Sequence, residues 1–120
     1  MRYMLLIYSN PTAWETWTKE ESDQMHAEYG AFTKEILDSG EFISGDPLTS
    51  PDTGVTVRVR DGKASATDGP YAETKEHLAG YYAIDVKDLD RAKELAAKIP
   101  DSRYGSIEIR PIMDYAMPDA

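Results

Sequence analysis

The sequence predicts an α+β fold, a ferredoxin-like sandwich in which an antiparallel sheet carries two helices on one face. Three observations point there. The segments run strand, helix, strand, hairpin, strand, helix, strand; both helical segments repeat apolar residues at helical spacing; and the strand segments either alternate or are apolar throughout.

From Tyr3 to Tyr8 both alternating sets, Tyr3/Leu5/Ile7 and Met4/Leu6/Tyr8, are apolar or aromatic, the pattern of a central strand covered on both faces. After the turn-rich SNPTAW, Thr18 and Glu21 have the spacing of a capping box, so a helix starts near Thr18. Met25, Tyr29, Phe32, Ile36 and Leu37 stack on its packing face, and Gly40 stands where a left-handed residue would end it. EFISGDPL is a short strand broken by Gly45 and Pro47. In TGVTVRVRDGKASAT, Val55, Val57 and Val59 alternate with Thr56, Arg58 and Arg60, and Asp61-Gly62 is a two-residue hairpin turn; one face of this hairpin is expected to be wet or to line a pocket. HLAGYYAIDV is another strand. Asp88 caps LDRAKELAAKIP, whose Leu89, Ala92, Leu95, Ala96 and Ile99 make a second amphipathic helix ended by Pro100. SIEIRPI, with Ile107 and Ile109 against Glu108 and Arg110, is the last strand before a short tail.

The 120 residues read as a single domain, with a core over about residues 1–112. No apolar run approaches the roughly 20 residues of a membrane-spanning helix, and the absence of cysteine fits a reducing compartment, so a cytoplasmic protein with no membrane association is expected. With 22 acidic and 13 basic residues the net charge is −9, and the basic residues are scattered, which disfavours nucleic acid as a partner. Nucleotide, flavin and metal-ligand motifs are absent from the sequence, and no cofactor or metal is expected. Two helices on one face leave the other face of the sheet bare and partly apolar, and a homodimer burying sheet against sheet is the simplest cover.

TDGPYAETKE, followed by LAGYYAIDVKDLDRAKELAAKIP and GSIEIRP, resembles the DGPF subgroup of the YCII-related family, with Tyr71 where the subgroup's name has Phe. The resemblance runs from the first strand to Pro111. It implies a dimeric α+β barrel like that of muconolactone isomerases and related small monooxygenases, in a family whose biochemical role is largely undefined. A sigma factor of the extracytoplasmic-function type is a partner only by family context. Relatives carry a His/Asp pair beside a Gly-Pro turn; the corresponding helix position here is Tyr29, His26 lies one turn earlier, and Asp46 stands beside Pro47. A tyrosine, with an ordinary pKa of about 10, is a weak general base.

Two readings of the candidate residues stay open. In the first, the protein is a small cofactor-independent enzyme of isomerase or lyase type acting on a polar small molecule. Asp68 or Glu73 takes the proton, with His26 as a further acid–base candidate; Arg110 or Lys75 stabilises charge, and Tyr29, Tyr71, Thr74 and Tyr82 line the pocket. In the second, Asp68-Gly69-Pro70 is only a turn, with the Asp68 carboxylate capping the following amides, and the protein is a noncatalytic dimeric ligand-sensing or interaction module. Glu73 and Glu76 are expected to pair with Arg58 or Arg110.

Overall fold

The computed structural model describes residues 1–114; the tail beyond Asp114 lies outside the described residues. Six strands and two helices follow one another as β1 (Arg2–Ser9), α1 (Lys19–Asp38), β2 (Phe42–Pro47), β3 (Val55–Arg60), β4 (Lys63–Asp68), β5 (His77–Asp85), α2 (Leu89–Lys98) and β6 (Ser106–Pro111). β2, β5, β1 and β6 form one antiparallel sheet in that order, which is the ferredoxin-like arrangement, and β3 and β4 form a separate two-stranded ribbon inserted between β2 and β5.

Both helices begin and end where local chemistry directs. Thr18 Oγ1 accepts from the Glu21 amide at 3.1 Å while Glu21 Oε1 accepts from the Thr18 amide at 3.2 Å, a complete capping box. At the other end Gly40 adopts φ +78°, and the Gly40 and Glu41 amides donate to the Leu37 and Ile36 carbonyls, closing a Schellman motif. Asp88 caps α2 by accepting from the Arg91 amide at 2.8 Å. A short 3-10 turn, Pro100–Arg103, then carries the chain from α2 to β6.

The core lies between the helices and one face of the sheet. Tyr3, Leu5 and Ile7 of β1, Ile84 of β5, Phe32 and Ile36 of α1, and Ala92, Leu95 and Ile99 around α2 are buried there. β1 is central, but only one of its faces is covered: Tyr3, Leu5, Ile7 and Ser9 are buried, while Met4, Leu6 and Tyr8 on the opposite side are half-exposed. Both helices lie on the other side of the sheet from this second apolar set of β1. The packing stripe of α1 is also narrower than its sequence pattern, for Phe32 and Ile36 alone are buried and Leu37 is 55% exposed. Residues a single position apart sit about 100° apart on a helix, so Ile36 and Leu37 do not both point at the sheet.

Beside the core, Glu41 and Arg91 form a bidentate pair at 2.9 Å for both bonds, which ties the start of β2 to α2. The Arg91 guanidinium holds the Glu41 carboxyl below the usual carboxylate range. The ribbon is joined by the type I′ geometry expected of Asp61-Gly62, with φ +53° and +75°. Instead of one wet face it has two, since all twelve of its strand residues except Thr56 are exposed.

Candidate functional site

A cleft of about 870 Å³ opens between α1 and the β2–β5 edge of the sheet. Its walls are mostly apolar and aromatic, with Met25 and Leu37 from α1, Trp17 before it, Phe42 and Leu48 at the ends of β2, and Tyr82 from β5. The polar side chains His26, Tyr29, Thr33 and Lys34 of α1, Asp46 of β2, and Asp101 of the 3-10 turn interrupt this surface. Apolar walls with a few placed polar groups are the ordinary makeup of small-molecule sites.

Tyr82 is fixed on all sides. Its ring stands edge-on to Phe32 at 5.1 Å and to Phe42 at 6.4 Å, and its hydroxyl shares a hydrogen bond of 2.7 Å with Thr33 Oγ1. Gly45 makes room for it, because a Cβ there would lie 2.7 Å from the Tyr82 ring. Tyr81, the preceding residue, donates its hydroxyl to Asp46 Oδ2 at 2.8 Å.

Asp101, 6% exposed, is a buried charged group in the cleft wall. The Tyr29 hydroxyl donates to its Oδ2, whereas Oδ1 is buried without a hydrogen-bond partner. Burial, and then the hydrogen bond and negative charge of Asp101, push the Tyr29 phenol far up, so Tyr29 keeps its proton and acts as a donor. The turn bearing Asp101 is held at two further points: Arg103 pairs with Glu28 of α1, and Tyr104, just after the turn, stands edge-on against Trp17, just before α1, at 5.3 Å. Behind it, Gly105 passes so close to β1 that a Cβ would lie 2.1 Å from the Tyr8 carbonyl oxygen. Asp101 is therefore positioned from both sides of the chain.

The residues expected from the sequence separate into two groups. His26, Tyr29 and Tyr82 come together in the cleft. Asp68 is exposed at the end of β4, Tyr71 is 80% exposed, and Glu73, Thr74 and Lys75 are exposed in the loop that follows. Arg110 is exposed on the edge strand β6 and faces Glu108 at 3.8 Å. The TDGPYAETKE segment lies away from the cleft walls and is held by other means than those expected. The Gly69 amide donates to the Gly54 carbonyl at 2.7 Å, Thr56 Oγ1 donates to the Gly69 carbonyl at 2.9 Å, and Arg58 reaches the Tyr71 carbonyl at 3.4 Å. Among the described residues the Asp68 carboxylate makes no hydrogen bond, and Glu76 takes its bonds from Ser106 Oγ rather than from an arginine. Asp46, beside Pro47, accepts from the Tyr81 hydroxyl, so no dyad forms between it and position 29. The carboxylate that meets Tyr29 is Asp101, 72 positions away, which sequence reasoning missed because no local motif connects them.

An antiparallel four-stranded sheet with two helices on one face and a cleft at the helix–sheet edge defines a ferredoxin-like α+β protein with a built pocket. The chain belongs to the YCII-related domain family, whose pattern matches residues 1–116. It is also similar to an uncharacterized protein of Rhizobium meliloti (strain 1021), 32% identical over 117 residues that make up 96% of this chain and 94% of the relative. Among the described residues no helix is long and apolar enough to cross a membrane.

Proposed function

We propose that the α1 cleft is the working site and that the protein is a small enzyme of isomerase or lyase type, moving a proton on a bound small molecule with its own side chains. Asp101 carries this reading: a carboxylate in the wall of the cleft, with one oxygen held by Tyr29 and the other unpartnered. Leaving a buried acceptor unsatisfied costs about 1–3 kcal/mol. A hydroxyl or amine on a ligand that reaches Oδ1 recovers that cost, and an apolar ligand body fills the space among Met25, Leu37, Phe42 and Leu48. In this reading Asp101 is the proton acceptor, Tyr29 positions it, and His26 exchanges the proton at the cleft. Asp68 and Glu73 stand outside the walls and yield the acceptor role to Asp101. On TDGPYAETKE we assign the chain to the DGPF subgroup of its family. The half-exposed Met4, Leu6 and Tyr8, with Leu78 beside them, support a homodimer formed sheet to sheet.

A second reading, a noncatalytic ligand-sensing or interaction module that works beside a sigma factor, is favoured by the exposure of the ribbon and its loop. Native mass spectrometry of untagged protein from its own cells tests where the site lies, and turnover of the molecule found, lost in Asp101→Asn, separates the enzyme from the module. Under the enzyme reading a small molecule co-purifies with wild type and with Asp68→Asn but is lost from Asp101→Asn, with the fold of each checked by circular dichroism. A molecule retained by a folded Asp101→Asn and lost from Asp68→Asn overturns it and moves the site to the loop.

A further inference from the structure

The wall of the α1 cleft uses its hydrogen-bond donors on itself. The Tyr29 hydroxyl donates to Asp101 Oδ2, the Tyr81 hydroxyl to Asp46 Oδ2 and the Lys34 ammonium to Asp38 Oδ2, and all of these side chains line the cleft. Each carboxylate is thus engaged through one oxygen. Among the described residues Asp38 Oδ1 and Asp46 Oδ1 accept no hydrogen bond, but both aspartates are exposed and water serves them. Asp101 is different, because it is only 6% exposed and its Oδ1 is buried without a donor. Its surroundings supply no countercharge either. Arg103, two positions on, is taken by Glu28, and no cation among the described residues lies within ion-pair distance of Asp101. Buried charges are ordinarily paired.

The charge of the cleft is lopsided in the same direction. Asp38, Asp46 and Asp101 line it against one lysine, Lys34, and one histidine, His26, in a chain of net charge −9. A cleft lined by one sign of charge concentrates ions of the other. Trp17, Phe42 and Tyr82 bring aromatic rings to the same walls, and the faces of such rings attract cations as well as apolar groups. We infer that the ligand of this cleft is an organic ammonium ion, a primary or secondary amine on an apolar body, with its N–H groups directed at Asp101. The inference rests on the proposed function, whose site it shares, and names the class of its substrate. A carboxylate or phosphate in the cleft would meet three carboxylates and a lysine already given to one of them. A neutral alcohol could donate to Oδ1 but would leave the negative charge of the walls unanswered. An ammonium answers both, and charge-assisted hydrogen bonds are roughly twice as strong as neutral ones. It also carries a proton to the proposed acceptor: when Asp101 takes it, the O–H bond forms at Oδ1 and the N–H electron pair stays on nitrogen. The volume of about 870 Å³ leaves room for the whole of a small molecule beside Met25 and Leu37.

Phenethylamine, phenethyl alcohol and phenylacetate share one apolar body and differ in the group that would meet Asp101. Their binding to wild type is measured by ligand-observed NMR titration at neutral pH, in low and in high salt, and again on Asp101→Asn and Asp68→Asn proteins whose fold is checked by circular dichroism. The amine should bind roughly tenfold or more tightly than the alcohol, an advantage that shrinks in high salt, and phenylacetate should bind most weakly. Asp101→Asn should bring the amine down to the level of the alcohol, and Asp68→Asn should leave it unchanged. If Asp101→Asn does not fold, the order of the three probes on wild type decides the class. An alcohol or carboxylate that binds as well as the amine, and is lost from folded Asp101→Asn, overturns the ammonium class and leaves the cleft as the working site. Amine binding that is undiminished in folded Asp101→Asn, or absent from wild type at millimolar concentration, also overturns the class. If the amine is in addition lost from Asp68→Asn, the cleft reading falls with it.

Discussion

Tyr29 on α1 and Tyr71 in the loop after β4 are both tyrosines with ionisable neighbours in sequence, HAEYGAF and DGPYAETKE, yet they end in opposite environments. Tyr29 meets a buried carboxylate, and burial with that contact pushes its phenol up. Tyr71 is 80% exposed and offers Arg58 only its backbone carbonyl. What separates them is the number of elements around each. Tyr29 stands where α1, the sheet and the turn after α2 converge, while Tyr71 follows a ribbon with no second layer. A cluster of ionisable residues becomes a site when several elements wall it in, and charge density along the chain does not supply the walls.

The most severe way to break the walled region is at its back. At Gly105→Ala the new Cβ would lie 2.1 Å from the Tyr8 carbonyl oxygen, a contact only a backbone shift can relieve. Because β6 and the turn bearing Asp101 move together with that backbone, the expected cost is about 3 kcal/mol or more. On the ribbon, Val57→Ala removes methyl groups already 64% exposed in the protomer and should stay within about 0.5 kcal/mol in protein dilute enough to be monomeric. Urea denaturation of both variants under those conditions checks the contrast, and equal losses would mean that the ribbon is as much part of the core as β6.

Tyr29→Phe sharpens the comparison by removing one hydroxyl and little volume. It leaves both oxygens of Asp101 unpartnered, at an expected cost of about 1–3 kcal/mol. It also has a pH signature. The Tyr29 phenol is raised above its ordinary value of 10.0 in the folded protein, so the native state keeps a proton that the unfolded chain gives up. The associated stability is complete below pH 10 and is lost as the pH climbs from there toward the folded value. Wild type should therefore lose stability above pH 10 more steeply than Tyr29→Phe, measured as denaturation midpoints from pH 8 to pH 11. Identical profiles for wild type and Tyr29→Phe would show that the phenol is not held as described.

The parts of this molecule that were legible in the sequence are those decided within a few residues. Thr18 with Glu21, Gly40, Asp88 and Asp61-Gly62 each carry their structural role in local backbone chemistry, and each appears as read. The ferredoxin-like order followed from alternation and helical spacing. The cleft was only partly legible: His26 was read as an acid–base candidate and Tyr29 and Tyr82 as lining residues, and the structure places all three side chains in the cleft wall. Asp101 was not legible, since it follows Pro100 in what reads as the end of a helix, and its pairing with Tyr29 depends on how closely Gly105 lets β6 approach β1. TDGPYAETKE misled for the opposite reason. Its density of functional groups is plain in the sequence, whereas the absence of a second layer over the ribbon is a property of the tertiary arrangement.

The smallest expected effect tests what that segment does for the fold. The turn after β4 is held by the Gly69 amide on Gly54, by Thr56 on the Gly69 carbonyl, and by Gly69 itself, which adopts φ +100°. None of these uses the Asp68 carboxylate, which is exposed beside Val55 at the root of the ribbon. Asp68→Asn keeps the shape of the side chain and removes its charge, so its thermal midpoint should match wild type, within about 0.5 kcal/mol in stability. A loss of about 1 kcal/mol or more, the value of a capping hydrogen bond, would show that the carboxylate does serve the amides of the turn. The segment would then be a brace in its own right, and the line drawn between walled and unwalled regions would have to pass beyond Gly69 instead of in front of it.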